Sequence, residues 1–123
     1  MPTIVHFDVA SDDVARSKDF YKGLFDWEID EVSGDIPYNL IGTKGLDGKA
    51  GVRGGMGKRM DPAQKITVYF GVDSVDDHSK KAELLGGKVV NPKMTVPGFG
   101  YLAICRDTEG NQFGLWQEDG QAR

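Results

Sequence analysis

The 123 residues contain a single cysteine, Cys105, so no internal disulfide can form. It closes the apolar run YLAIC and reads as a buried thiol of a reducing compartment, with only Arg106 beside it in sequence to favour a thiolate. Positive charge is not in excess. Fifteen Lys and Arg face 19 Asp and Glu for a net charge of -4, which excludes a general phosphate-backbone binder and hence a nucleic-acid partner. No apolar run approaches the roughly 20 residues of a membrane span. The opening MPTIVHFDV has neither a basic leader nor a long apolar signal core, so a cytoplasmic protein with no membrane partner is expected. A phosphate-binding Gly-x4-Gly-Lys-Ser/Thr loop is also missing. The segment Gly42 to Gly57 is glycine-rich and holds Lys44, Lys49 and Arg53, but no helix follows it to point its amino end at an anion. It reads as a flexible loop leading into a strand, or as a mobile lid whose basic residues meet an anionic ligand.

What is present is strong alternation. In IVHFDV, Val5, Phe7 and Val9 point one way and Ile4, His6 and Asp8 the other; in TVYFGV, Val68, Phe70 and Val72 oppose Thr67, Tyr69 and Gly71. Each strand leads into a polar cap and a helical pattern. The first spans SDDVARSKDFYKGLF, with Val14, Phe20, Tyr21, Leu24 and Phe25 at helical spacing and Gly23 disturbing the last turn. The second spans SVDDHSKKAELLGGK, capped at Ser74 and stopped at Gly86 and Gly87. His78 belongs to this outer helix and has no ligand role. Aligned without a gap, His6 meets Tyr69 and Ser11 meets Ser74, a weak internal repeat.

Three short strands follow each helix: WEIDEV, IPYNLIG and AGVRGGMG, then KVVNPKM, GYLAICRD and NQFGLWQ. Breaks between them are signalled at Ser33-Gly34-Asp35, Pro97-Gly98 and Glu109-Gly110-Asn111. The expectation is one α+β domain over 1–123 built from two βαβββ modules, about 1–60 and 61–123. Their curled mixed sheets would surround a trough, with the helices outside. His6, Asp8, Tyr69, Gln112, Gly114, Trp116 and Glu118 would face the trough.

The doubled plan, the opening VHFDV followed by FYKGLFDW, and the closing DTEGNQFGLW resemble the vicinal oxygen chelate superfamily over nearly the whole chain. That superfamily includes glyoxalase I, extradiol dioxygenases, and fosfomycin and bleomycin resistance proteins. The resemblance implies a divalent cation held by His or Gln on the first strand, Glu on the fourth, His on the fifth and Glu on the eighth. His6 matches the first ligand, but Tyr69 and Gly114 stand at the fifth- and eighth-strand positions, and Gly48 to Arg59 holds no carboxylate. Glu118 lies about 13 Å along the strand from Gly114, too far to replace the missing Glu. One retained ligand leaves nearly the whole shell to water, so no metal or other cofactor is expected. Gly114 is then a glycine because a bulky ligand or a facing aromatic approaches the backbone, or because the sheet bends there.

The function this implies is small-molecule binding of the glyoxalase/bleomycin-resistance type, with metal-independent acid-base chemistry from His6 and Tyr69 as a further option. A metal-dependent glyoxalase- or lyase-like enzyme rebuilt around His6 is the alternative, and a pure sequestration protein a third. Asp8, Tyr38, Gly114, Trp116, Phe99 and Tyr101 are the candidate ligand-binding residues. A homodimer with a small organic ligand is the expected assembly.

Overall fold

The computed structural model describes residues 1–33 and 37–123. The last two positions of the expected turn at Ser33-Gly34-Asp35, and Ile36 of the third expected strand, lie outside the described residues. The elements run β1 (Ile4–Ser11), α1 (Val14–Phe25), β2 (Glu28–Val32), β3 (Tyr38–Gly42), β4 (Arg53–Lys58), β5 (Thr67–Gly71), α2 (Val75–Leu84), β6 (Lys88–Val96), β7 (Gly100–Arg106) and β8 (Gln112–Glu118). This is an α+β chain with βαβββ written twice. It forms two compact units, His6–Thr67, and Met1–Val5 with Val68–Arg123. The division therefore falls after Thr67 rather than near residue 60. The amino-terminal residues join the later unit because the Gly71 N–H donates to Thr3 O at 2.9 Å and Val5 packs over Gly71.

In the His6–Thr67 unit the strand order is β2-β3-β4-β1, with β1 parallel to β4 and the other pairs antiparallel. Alternation sorts its residues by face. Val9, Ile29, Ile41 and Met56 form the core, with Phe7, Val14, Tyr21 and Trp27 packed against it. Each fully buried aliphatic side chain of this kind contributes roughly 1.5–3 kcal/mol. Helix α1 is capped by Asp13, which accepts from the Arg16 N–H at 3.0 Å, and not by Ser11, which is buried at the end of β1. The ungapped repeat thus misplaces this cap by two residues. The helix also continues through Gly23 and ends at Asp26, whose left-handed backbone (φ 56°) turns the chain back. That turn stacks Trp27 on Tyr21, centroids 4.9 Å apart and 10° from parallel. Phe20, Leu24 and Phe25 of the predicted apolar stripe are instead exposed, at 60%, 57% and 53%.

The other unit orders its strands β5-β8-β7-β6, with β5 parallel to β8. Val75, Ala103, Cys105 and Leu115 make its core. Cys105 is fully buried, and desolvation, followed by repulsion from Glu83, holds its thiol pKa above the ordinary value. Ser74 caps α2 as its sequence signal requires, accepting from the Asp77 N–H at 3.1 Å. In the β7–β8 turn Asp107 accepts from Asn111 Nδ2, Asn111 N and Glu109 N at 2.9–3.0 Å, and these bonds, the Asn111 ones first, hold its carboxyl below the ordinary pKa.

Candidate functional site

The face of the His6–Thr67 sheet opposite its core carries the chemistry. His6 and Asp8 alternate outward from β1, and Tyr38 reaches them from β3. The Tyr38 hydroxyl donates to Asp8 Oδ1 at 2.5 Å, and His6 Nε2 lies 2.9 Å from that same oxygen and 3.1 Å from the Tyr38 hydroxyl. A carboxylate at this distance favours a proton on His6 Nε2. All three groups are partly exposed. A short O–H to carboxylate contact is the charge-assisted kind, about twice as strong as a neutral one.

The ring of Tyr38 can reach Asp8 because β4 offers no side chain beneath it. A Cβ on Gly55 would overlap the Tyr38 hydroxyl and stand 2.8 Å from Asp8 Oδ1. On the other face a Cβ on Gly54 would stand 2.5 Å from Phe7 Cζ. The glycines of RGGMG are therefore the floor for two aromatic rings, one on each side of a strand. The loop before β4 is shaped by a bridge between Lys44 and Ala50 and by Thr43 Oγ1 donating to Val52 O at 2.8 Å.

The sequence offers Arg53 only as one of several basic residues of a possible lid, without a place beside His6. Register puts it beside His6 on β4, as Gly114 is put beside Tyr69 on β8. Arg53 is thus module one's counterpart of the eighth-strand ligand position, the place of the fourth-strand carboxylate. The ungapped repeat does not align Arg53 with Gly114, because module one takes a longer path to its last strand.

The remaining candidates are distributed differently. Tyr69 and Gly114 belong to the other unit, and the reason for the glycine is an aromatic ring. A Cβ there would overlap Tyr69 Cδ2 and Cε2, so the ring of Tyr69, itself 8% exposed, covers the backbone that a ligand was expected to touch. Trp116 shares that face and closes over Gly100, whose Cβ would stand 2.9 Å from Trp116 Cζ2. Tyr101 lies on the opposite side, packed against the α2 core with Lys93 Nζ 4.4 Å over its ring. Phe99 is an exposed residue of the β6–β7 turn.

The family's divalent cation does not fit this donor set. A guanidinium stands at the fourth-strand position, a tyrosine ring covers the eighth, and Asp8 Oδ1 already takes two donors. Among the described residues no group of three or more His, Cys, Asp or Glu could hold a metal ion. A surface depression of about 500 Å³ in the same unit is lined by Ala10, Ser11, Asp13, Arg16, Phe20, Arg59 and Lys65, among others, and by none of His6, Asp8 and Tyr38. Its Arg59 is a staple, bonded to Asp12 Oδ1 at 2.9 Å, to Ala10 O at 3.1 Å and to Gln64 O.

A family model described as Glyoxalase/Bleomycin resistance protein/Dioxygenase superfamily matches residues 3–115. The anthracycline biosynthesis protein DnrV of Streptomyces peucetius is 35% identical over 125 residues, covering 91% of this chain and 46% of that protein. DauV of Streptomyces sp. (strain C5), also named an anthracycline biosynthesis protein, is 34% identical with the same coverage. The chain spans about half the length of these curated relatives. Among solved structures, a methylmalonyl-CoA epimerase in complex with methylmalonyl-CoA and NH4+ superposes with TM-score 0.71 at 13% identity, over 99% of this chain and 98% of that one. A glyoxalase/bleomycin resistance protein/dioxygenase superfamily member from Vibrio splendidus 12B01 superposes at 0.66 with 12% identity, over 97% and 100%. No described helix is long and apolar enough to cross a membrane.

Proposed function

The chain belongs to the glyoxalase/bleomycin resistance protein/dioxygenase superfamily, and on that premise we propose that it binds a small organic molecule against the His6–Asp8–Tyr38 face and moves a proton there without a metal. The observation that carries this reading is the single carboxylate oxygen of Asp8 shared by Tyr38 at 2.5 Å and His6 at 2.9 Å. Asp8 orients the imidazole and stabilises it once protonated; His6 takes the proton; Tyr38 holds Asp8 in place. General base catalysis of this kind contributes about 10²–10⁴-fold. The reaction class is proton removal from carbon next to a carbonyl. The relatives' names point the search toward polycyclic aromatic ketones.

A thermal-shift screen of such ketones finds the ligand, since one at about a hundred times its dissociation constant stabilises the fold by about 2.7 kcal/mol. Hydrogen–deuterium exchange at the ligand's activated carbon, followed by NMR, then tests the chemistry. His6→Ala is expected to slow it about 100-fold or more, and EDTA to leave it unchanged. Loss of exchange on EDTA treatment, restored by a divalent cation, would return the reading to a metal enzyme.

The reading includes a homodimer. Phe20, Leu24 and Phe25 leave an apolar surface on one side of α1 that a partner would cover. Sedimentation at micromolar concentration is expected to give twice 13.5 kDa, falling to 13.5 kDa in Phe20→Glu; a wild-type monomer rejects it.

A further inference from the structure

We propose that Arg53 is an anion receptor: its guanidinium takes the carboxylate or enolate oxygen of a ligand lying on the His6–Asp8–Tyr38 face. The proposal rests on that face being the ligand site and adds the ligand's charge.

Four observations carry it. Arg53 is the register partner of His6 in the parallel β1–β4 pair, so its side chain leaves the sheet on the same face, about 4.8 Å away across the strands. It is exposed, and among the described residues its guanidinium has no hydrogen bond and no ion pair. The nearby carboxylate of Asp8 directs Oδ1 at Tyr38 and His6, and it forms no ion pair with Arg53. The next residues on its strand and face are Gly55 and Gly57, over which the Tyr38 ring lies, so Arg53 is the one side chain that β4 itself contributes beside that ring before Lys58.

From β2, Glu28 pairs with Gly42 and leans its carboxylate over that glycine, Oε2 standing 3.6 Å from where a Gly42 Cβ would be, without forming an ion pair with Arg53. A guanidinium without an ion pair, on a chain of net charge -4, is therefore open to a further anion. Its planar fork suits a carboxylate or an enolate oxygen. Placed beside the base, it would hold the ligand oxygen on which negative charge gathers when His6 removes the proton. Where metal-dependent members use a carboxylate to hold a cation, this chain carries the positive charge on the protein itself.

The test uses a matched pair of probes, 2-naphthoate and its neutral isostere 2-naphthamide, titrated calorimetrically at low ionic strength, with the His6 ring signals followed by NMR. Wild type is expected to prefer the acid at least tenfold, equivalent to about 1.4 kcal/mol, and to shift the His6 signals as it binds. Arg53→Gln should bring the acid to the affinity of the amide and leave the amide unchanged; Arg53→Lys should restore part of the preference. Equal binding of both probes to wild type, or a preference that survives Arg53→Gln, overturns the anion receptor while the small-molecule reading stands. Failure of both probes to bind, with the His6 signals unmoved, overturns both.

Discussion

Gly114→Leu is expected to leave the chain unfolded, and even Gly114→Ala to lower its melting temperature by on the order of 10 °C. The added Cβ would overlap Cδ2 and Cε2 of Tyr69 and stand 2.7 Å from its Cγ. Because the clash reaches the root of the ring, swinging the ring tip aside does not relieve it. Tyr69 must leave its rotamer or the parallel β5–β8 pair, in which it faces Gly114, must open. Tyr69 is 8% exposed and Gly114 is buried, so neither has solvent to move into. Thermal melts of Gly114→Ala, Tyr69→Ala and the double variant decide it. Once the ring is gone the alanine should cost much less, and a coupling of at least about 1 kcal/mol is expected. Additive losses, or a Gly114→Leu protein that melts like wild type, would assign the glycine to a bend in the sheet.

The contrast between the two modules explains what could be read from residues alone. Alternation in IVHFDV and TVYFGV and the Ser74 cap are local signals with local causes, and they led to the doubled βαβββ plan. Gly114 stands out in the sequence as a blank, with a facing aromatic among its explanations. Which aromatic was not legible, since it depends on the register of β5 against β8. The sequence marks Tyr38 as a candidate ligand-binding residue, yet not that its hydroxyl is bonded to Asp8. Its bond to Asp8 spans thirty residues of sequence and three strands, and it depends on an absent side chain at Gly55. The segment read as a flexible glycine loop ends as a strand gripped by aromatic rings from both sides. Arg53 is legible as a basic residue that could meet an anionic ligand, but its place beside His6 is not, because the longer path to β4 breaks the ungapped repeat.

That grip gives the second large effect, a separation of stability from chemistry at two adjacent residues. Gly54→Ala is expected to destabilise the fold by about 1–3 kcal/mol. Its Cβ would stand 2.5–2.7 Å from the end of the Phe7 ring, which packs on the core and on Trp27 at a centroid distance of 5.6 Å. Gly55→Ala acts on the other face. Its Cβ would take the position of the Tyr38 hydroxyl and stand 2.8 Å from Asp8 Oδ1, but the crowded group is the tip of a partly exposed ring rather than its root. The fold then loses chiefly the bond to Asp8, while Asp8 loses the donor that holds it against His6. Gly55→Ala should therefore melt within a few degrees of wild type yet exchange ligand protons on the order of tenfold more slowly, the equivalent of about 1.4 kcal/mol in the barrier. Gly54→Ala should melt lower and, while folded, exchange at the wild-type rate. Tyr38→Phe separates crowding from loss of the hydroxyl: it should match Gly55→Ala in rate. Were Gly55→Ala to unfold the chain while Gly54→Ala did nothing, the two faces of β4 would have to exchange roles, and the site built on Asp8, His6 and Tyr38 would fall with them.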